Sequence, residues 1–401
     1  MKKVKLTSVC RPKQWKSIPI SELSDVGYPV YGANGVIGYY DSYNHEQETV
    51  IITCRGATCG TVNLTHPRSY VTGNAMCLDN VKDSVDIKYL FYSMQAYDFT
   101  KVISGTAQPQ ITRVGLEKVE ITLPSLDVQR EIVSILDKID ALIEQRRLQL
   151  KKLEELVKAR FVEMFGDPAI NPMNWDKVNI SEVVGGKISN GFFAKRDDYV
   201  DDGNVSVMGV AYVVNRMYSQ WQDLPKTNGT DKDIEKFEVK YGDMLFCRSS
   251  LVAEGIGKAS IVPEDVPNNT LFECHVIRFP LDLNKCVPEY MQVLSTTEFF
   301  RQQIIAQSKT ATMTTIGQNG ILKADIILPP LEKQKEFYAF VKQIDKSKLL
   351  SGCRLFHSWA PEIEKSESCW RAPTEDKGFA GRSTPTMTLA GLENLNHVGA
   401  P

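Results

Sequence analysis

The chain has 401 residues, 24% of them charged and 42% hydrophobic, with a formal net charge of −2. That length predicts two or three domains with sizeable cores. The charge balance excludes a globally basic nucleic-acid binder, so any DNA-binding surface must be local.

The nine cysteines and five histidines form no C-x-x-C and no converging set, so no metal site is expected. "MKKVK" is not followed by an apolar h-region, and no apolar run approaches the roughly 18 residues of a membrane span. With free thiols as well, these features predict a cytoplasmic protein. The opening stretch, "MKKVKLTSVCRPKQWK", has six basic residues and no acidic one. It reads either as a frayed basic terminus or as part of a local basic surface.

In chain order, "YGANGVIGYY" places Asn34 and Gly35 among aromatics. Asn-Gly suits a hairpin turn. It also suits a DNA-facing loop in which Asn34 reads adenine, and the two readings are compatible. "TVIITCRGATCGTVNL" (Thr49–Leu64) is an apolar strand, then Arg55, Gly56 and Thr58, then a second strand. Arginine can make a bidentate contact to guanine, and glycine lets backbone approach phosphate. A surface arginine paired with a carboxylate is the alternative. "SGTAQPQIT" supplies Gln108, Gln110 and Thr112, either as base or phosphate contacts or as a solvated loop.

After Leu123-Pro124 the pattern becomes helical. Leu136, Ile143, Leu150, Val157 and Met164 recur every seven residues, with Ile139 and Leu153 at d positions and Arg146 and Arg160 at the other two. This heptad pattern predicts a coiled-coil helix over 128–165, about 57 Å long. It should end at Gly166-Asp167-Pro168, with Gly166 as the C′ residue. Downstream, Lys195 and Arg196 in "NGFFAKRDD" form a weak basic signal beside two aspartates. "YGDMLFCRSS" repeats the strand–Cys–Arg pattern with Arg248, Ser249 and Ser250. "KTATMTTI" offers Lys309, Thr310 and Thr314.

The chain repeats itself. Ser104–Asp140 aligns without a gap to Lys309–Asp345 at a constant offset of 205, matching Ile111/Ile316, Gly115/Gly320, Pro124/Pro329 and Gln129/Gln334 among others. A period of about 200 residues means domain duplication rather than a solenoid. In the second copy Phe337, Val341 and Ile344 continue the 4-3 spacing after "LPPLEKQ". Two copies of one unit about a pseudo-two-fold axis pair these helices antiparallel.

These segments together resemble the specificity subunit of type I restriction–modification systems. "LPSLDVQREIVSILDKIDALIE", "ARFVEMFGDP" and "LPPLEKQ" look like that family's conserved segments. "GYPVYGANGVIGYYDSYNHEQETVIITCRGATCGTVNL" and "YGDMLFCRSS" look like its target-recognition domains. The resemblance covers roughly residues 4–350. It implies an α+β fold with duplicated mixed α/β recognition domains separated by long helices in an antiparallel coiled coil. Residues 1–122 and 168–327 would be the two recognition domains, and 123–167 and 328–350 the helices.

The implied function is recognition of a bipartite site in double-stranded DNA, one half per domain, with the helices setting the gap. The chain itself would be non-catalytic and bind no cofactor. S-adenosylmethionine would be bound by modification subunits, two of them in the complex. ATP and Mg would likewise be bound by partner subunits, which include restriction (motor-nuclease) subunits. Residues 351–401 depart from the family and lack heptads, so a largely disordered tail from a disrupted cassette is expected there.

Two other classes compete. An adenine methyltransferase of this system would show an Asn-Pro-Pro-aromatic motif, whereas "NPMN" at Asn171 lacks the second proline and the aromatic. No G-x-x-x-x-G-K-[ST] loop is present, and no carboxylate cluster resembles a nuclease. A coiled-coil adaptor without DNA binding would show no salt-dependent duplex affinity.

Overall fold

The computed structural model describes residues 2–33, 35–105, 108–310 and 313–350. The expectations for Asn34 and for the tail after Leu350 lie outside the described residues. The chain divides between Gln145 and Arg146 into two compact units.

Each unit is built from the same series of elements. In the first, Lys2–Lys5 pairs antiparallel with Glu120–Leu123. A four-stranded antiparallel sheet follows, in the order Arg11–Lys13, Ala75–Asp79, Val50–Thr53, Val62–Leu64. Beside it, Tyr28–Gly32 pairs antiparallel with Gly35–Tyr40 and parallel with Tyr70–Val71. The second unit has Asp176–Asn179 against Asp325–Leu328. Its four-stranded sheet runs Ser189–Asn190, Val276–Pro280, Asp243–Cys247, Ala259–Ile261. Its three-stranded sheet has Val205–Met208 between antiparallel Lys226–Thr227 and parallel Thr270–Phe272. The central strands "VIIT" and "DMLFC" are buried along their whole length. Branched and aromatic side chains fit that doubly packed position.

The duplication extends to single hydrogen bonds. Gln129 and Gln334 are both fully buried. Gln129 Oε1 accepts from Asp86 N (2.9 Å), and its Nε2 donates to Ser84 O and Pro124 O. Gln334 Oε1 accepts from Val287 N (2.9 Å), and its Nε2 donates to Lys285 O and Pro329 O. Tyr89 and Tyr290 likewise donate to Thr122 O and Ile327 O, each at 2.7 Å. The glutamine rivets the first turn of a long helix to the loop that opens Ile87–Gln95 or Pro288–Thr296. A leucine of similar size would strand one buried N–H and two carbonyls. Gln334→Leu should therefore cost about 1–3 kcal/mol per group left unpaired, read as a lower urea midpoint at unchanged slope.

The heptad segment forms one helix of 40 residues, Leu126–Phe165, about 60 Å long. Gly166 ends it with φ +77, where a Cβ would meet Pro172 Cγ at 2.5 Å, and Trp175 Nε1 donates to the carbonyl of Phe165. Within the first unit, Lys88 Nζ reaches Asp137 Oδ2 at 2.7 Å and holds that carboxyl below its usual range. Tyr92 Oη donates to Asp137 and Asp140.

Within the second unit the helix packs on Leu331–Leu350. The Phe165 and Phe161 rings lie 5.6 and 5.7 Å from Phe337, and Arg160 lies 5.7 Å from Phe340. Stepping back along one helix means stepping forward along the other, so the pair is antiparallel.

The predicted seam holds over part of its length. Val157, Phe337, Val341 and Ile344 are buried in one cluster with Leu153 against it. Leu136, Ile143 and Leu150 are half-buried, and Ile139 is 43% exposed. The buried register at this end is Val157, Phe161, Phe165 rather than a strict a/d alternation. The helix here packs on Tyr290 as well as on the second helix, which needs a wider stripe than a two-stranded seam.

Candidate nucleic-acid interface

In the first unit, strand pairing gathers residues far apart in sequence. Val50–Thr53 ends at Cys54-Arg55, and Arg55 is exposed and bridges antiparallel to Gln110. Gly56, with φ +87, donates its N–H to Pro109 O. Thr53 Oγ1 donates to Ala33 O, which fixes the turn before Gly35 against this strand end. Gly35 (φ +91) pairs with Gly32 as the first residue of the returning strand, so it is not a central residue of the turn as an Asn-Gly hairpin would have it. Gln108 is exposed and Gln110 half-buried. Thr112 is exposed, but its hydroxyl accepts from Gly115 N and caps the turn Arg113–Leu116. Thr58 is half-buried, and its carbonyl accepts from Thr61 N.

A basic group not singled out as contacts in the sequence lies alongside. Arg11, Lys13, Gln14 and Arg113 line one shallow depression with Pro12 and Met76. Gln14 Nε2 donates to Gly73 O and contacts Cys54 Sγ, each at 3.0 Å. Lys13 Nζ sits 3.3 Å above the Trp15 ring. The basic opening run is therefore ordered strand rather than a frayed end. Its excess of charge was visible in the sequence, whereas its meeting with Arg113 depends on long-range pairing.

The second unit corrects the equivalence of Arg55 and Arg248. Gly60 N donates to Thr53 O in the first unit and Gly257 N to Cys247 O in the second. Cys54 N donates to Asn74 O, and Arg248 N to His275 O. Ile111 N donates to Cys54 O, and Ile316 N to Arg248 O. Arg248 thus takes the place of Cys54, and Ser249 that of Arg55. The two Cys-Arg pairs are out of step by one residue, and one residue reverses the face of a strand.

Arg248 is accordingly half-buried, and its Nη1 donates to Cys274 O at 3.1 Å. In the first unit Gln14 plays the corresponding part by bonding Gly73 O. Ser249 and Ser250 are 5% and 7% exposed and pair with Thr315 and Thr314. Ser250 Oγ accepts from Val252 N. Thr314 is buried, its hydroxyl 3.0 Å from that of Thr310. Lys309, Thr310 and Thr315 are exposed. Lys195 and Arg196 are exposed in a turn where Asp198 accepts from Lys195 N, next to Phe193 at 68% exposure. Gln318 Nε2 donates to Asn190 Oδ1, and Phe192 bridges to Glu273, beside the Cys274 that Arg248 contacts.

The comparisons fit this geometry. Residues 1–155 and 172–352 match the family model described as type I restriction modification DNA specificity domain. The MjaVIII type I restriction enzyme specificity subunit of Methanocaldococcus jannaschii is 22% identical over 314 residues, 75% of this chain and 72% of that protein. A putative type I restriction enzyme specificity subunit of Haemophilus influenzae, S.HindORF215P, is 22% identical over 340 residues, 80% of each. A shorter match, 32% identical over 115 residues, covers 29% of this chain and 28% of the EcoprrI specificity subunit of Escherichia coli. The crystal structure of a type I restriction–modification S subunit from M. genitalium aligns over 90% of this chain and 94% of its own with a TM-score of 0.53 and 12% identity, a likeness of fold. With both family segments matched, each on one copy of a duplicated strand scaffold that presents polar loops, the chain belongs to the type I restriction–modification DNA specificity family and is a DNA-recognition subunit.

Proposed function

We propose that each unit reads one half of a bipartite site in double-stranded DNA, and that the helix Leu126–Phe165 sets the gap between the halves. The observation that carries this reading is the duplication itself: one scaffold, built twice with matching hydrogen bonds and different loops, joined by a single unbroken helix. Matching scaffolds give matching presentation, and differing loops give two different sequences.

In the first unit the reading surface is Arg55, Gln108 and Gln110 with Asn34 and Gly35, and Arg11, Lys13 and Arg113 supply charge for phosphates. In the second unit it is Lys195, Arg196, Lys309, Thr310 and Thr315, with Arg248 bracing the loop at Cys274. The chain itself performs no chemistry. Two modification subunits dock on the helices and supply methyl transfer from S-adenosylmethionine. Restriction subunits supply the ATP- and Mg-dependent steps. Among the described residues no helix is long and apolar enough to cross a membrane, and we place the complex in the cytoplasm.

Binding of the assembled complex to duplexes carrying or lacking each half-site, across a salt series, tests this. Arg55→Ala should weaken binding to DNA with the first half-site by about 1–3 kcal/mol and relax preference at one base pair. An equal loss on every sequence would make Arg55 a phosphate contact. Arg248→Ala should instead lower the thermal midpoint of the chain, because it removes a bond inside the scaffold. Affinity that ignores salt would contradict the DNA-binding reading.

A further inference from the structure

Outside the polar loops, one cluster of metal-ligating side chains is unexplained by DNA recognition. His45, Cys77 and Asp79 offer a nitrogen, a sulfur and an oxygen all within 4.8 Å of one another. Cys77 is fully buried, and the His45 and Asp79 side chains are 9% and 12% exposed.

The hydrogen bonds around the histidine fix its ring. Asn44 Nδ2 donates to Val71 O at 3.0 Å and Asn44 Oδ1 accepts from Val71 N at 2.9 Å, so that amide has one orientation. His45 Nδ1 lies 2.6 Å from the same Oδ1. An oxygen accepts, so Nδ1 carries the hydrogen. In the neutral ring Nε2 is then a bare lone pair. It points at Asp79 Oδ1 from 3.0 Å, which sets two acceptors face to face. Something positive must lie between or beside them, either a proton or a cation. The other carboxylate oxygen, Oδ2, is held by Trp15 Nε1 at 3.1 Å. A ring hydrogen passed to an amide oxygen is the outer-shell arrangement that presents Nε2 to a metal.

We propose that His45 Nε2, Cys77 Sγ and Asp79 Oδ1 form a zinc site in the first unit. Imidazole, thiolate and carboxylate are the ligands zinc favours, at about 2.0–2.3 Å. Four-coordinate geometry at those lengths puts ligand atoms about 3–4 Å apart; His45 Nε2 and Asp79 Oδ1 lie 3.0 Å apart, and with all three donor atoms within 4.8 Å of one another the side chains would close on the ion. One thiolate and one carboxylate neutralise the dication in a largely buried place. The Cys77 thiol gives its proton to solvent as the metal–sulfur bond forms. The second unit has Arg278 and Pro280 at the positions of Cys77 and Asp79 by strand register, so the site belongs to one unit only. It would pin the His45 loop to the strand next to Lys13 and Trp15.

The test uses the full chain, stripped with a chelator and titrated with cobalt(II) and then zinc(II). The expected result is one equivalent bound, with a near-ultraviolet thiolate-to-cobalt band and a higher thermal midpoint in zinc. Cys77→Ala should abolish the band, and His45→Ala should weaken the metal at least about tenfold, the loss typical of a missing zinc interaction. Absence of the band in the unaltered chain would overturn the proposal and leave His45 and Asp79 as a closed ion pair. A band that survives Cys77→Ala would also overturn it, because another cysteine would then hold the metal.

Discussion

Phe161→Ala should cost the second unit about 3–5 kcal/mol, the usual loss for emptying a large aromatic from a core. Phe161 is 1% exposed. Its ring lies 5.1 Å from Phe165, 5.5 Å from Tyr290 and 5.7 Å from Phe337. One side chain thus joins Leu126–Phe165 and Leu331–Leu350 to the helix Pro288–Thr296. A loss of that size is a large share of a typical domain's 5–15 kcal/mol. Val162→Ala, one residue on and 53% exposed, should change stability by less than about 0.5 kcal/mol. Urea unfolding of the two variants side by side is the measurement. Equal midpoints would mean that the helix end is not clamped as described.

The second large effect is functional. Seven residues inserted between Leu150 and Lys151 should lengthen the preferred gap between half-sites. Seven residues add about 10.5 Å of helix and turn the distal end by only about 20°. The buried stripe at Val157, Phe161 and Phe165 therefore keeps its face. That rise equals about three base pairs at 3.4 Å each. Each added pair also rotates the far half-site by about 34°, since a turn holds about 10.5 pairs. The expected change is accordingly about one to three base pairs. Selection of bound duplexes from a pool with variable gaps reads it directly. A gap that does not move would remove the helix from the role of spacer.

The long helix was legible because three independent signals agreed on it: a seven-residue period, good helix formers, and a Gly-Asp-Pro stop. The duplication was legible because glycine, proline and apolar positions keep one offset through Ser104–Asp140. The seam was only half legible. A heptad pattern states which face is apolar but not what covers it, and near Phe161 the covering includes Tyr290. The pairing of Arg55 with Arg248 failed for a related reason. Cys-Arg recurs as letters, but strand register is set by hydrogen bonds between backbones, and those equate Arg55 with Ser249. The meeting of Arg113 with Arg11 and Lys13 left no local trace, because it depends on strands and loops about a hundred residues apart.

The rivet at Gln129 and Gln334 lay between these cases. Both residues stood out as a matched pair, but two of the three bonds each makes go to a loop more than forty residues upstream. Likewise the His45, Cys77 and Asp79 cluster shows no metal-binding spacing in the chain and forms only when the His45 loop folds over the strand.

Methylome sequencing of cells that express this chain together with its modification subunit bears most directly on the central claim. The account predicts methylated adenines within a two-part motif, its halves separated by a fixed run of unspecified bases, with the first half altered by Arg55→Ala. A single uninterrupted motif, or two halves at freely varying separation, would contradict it.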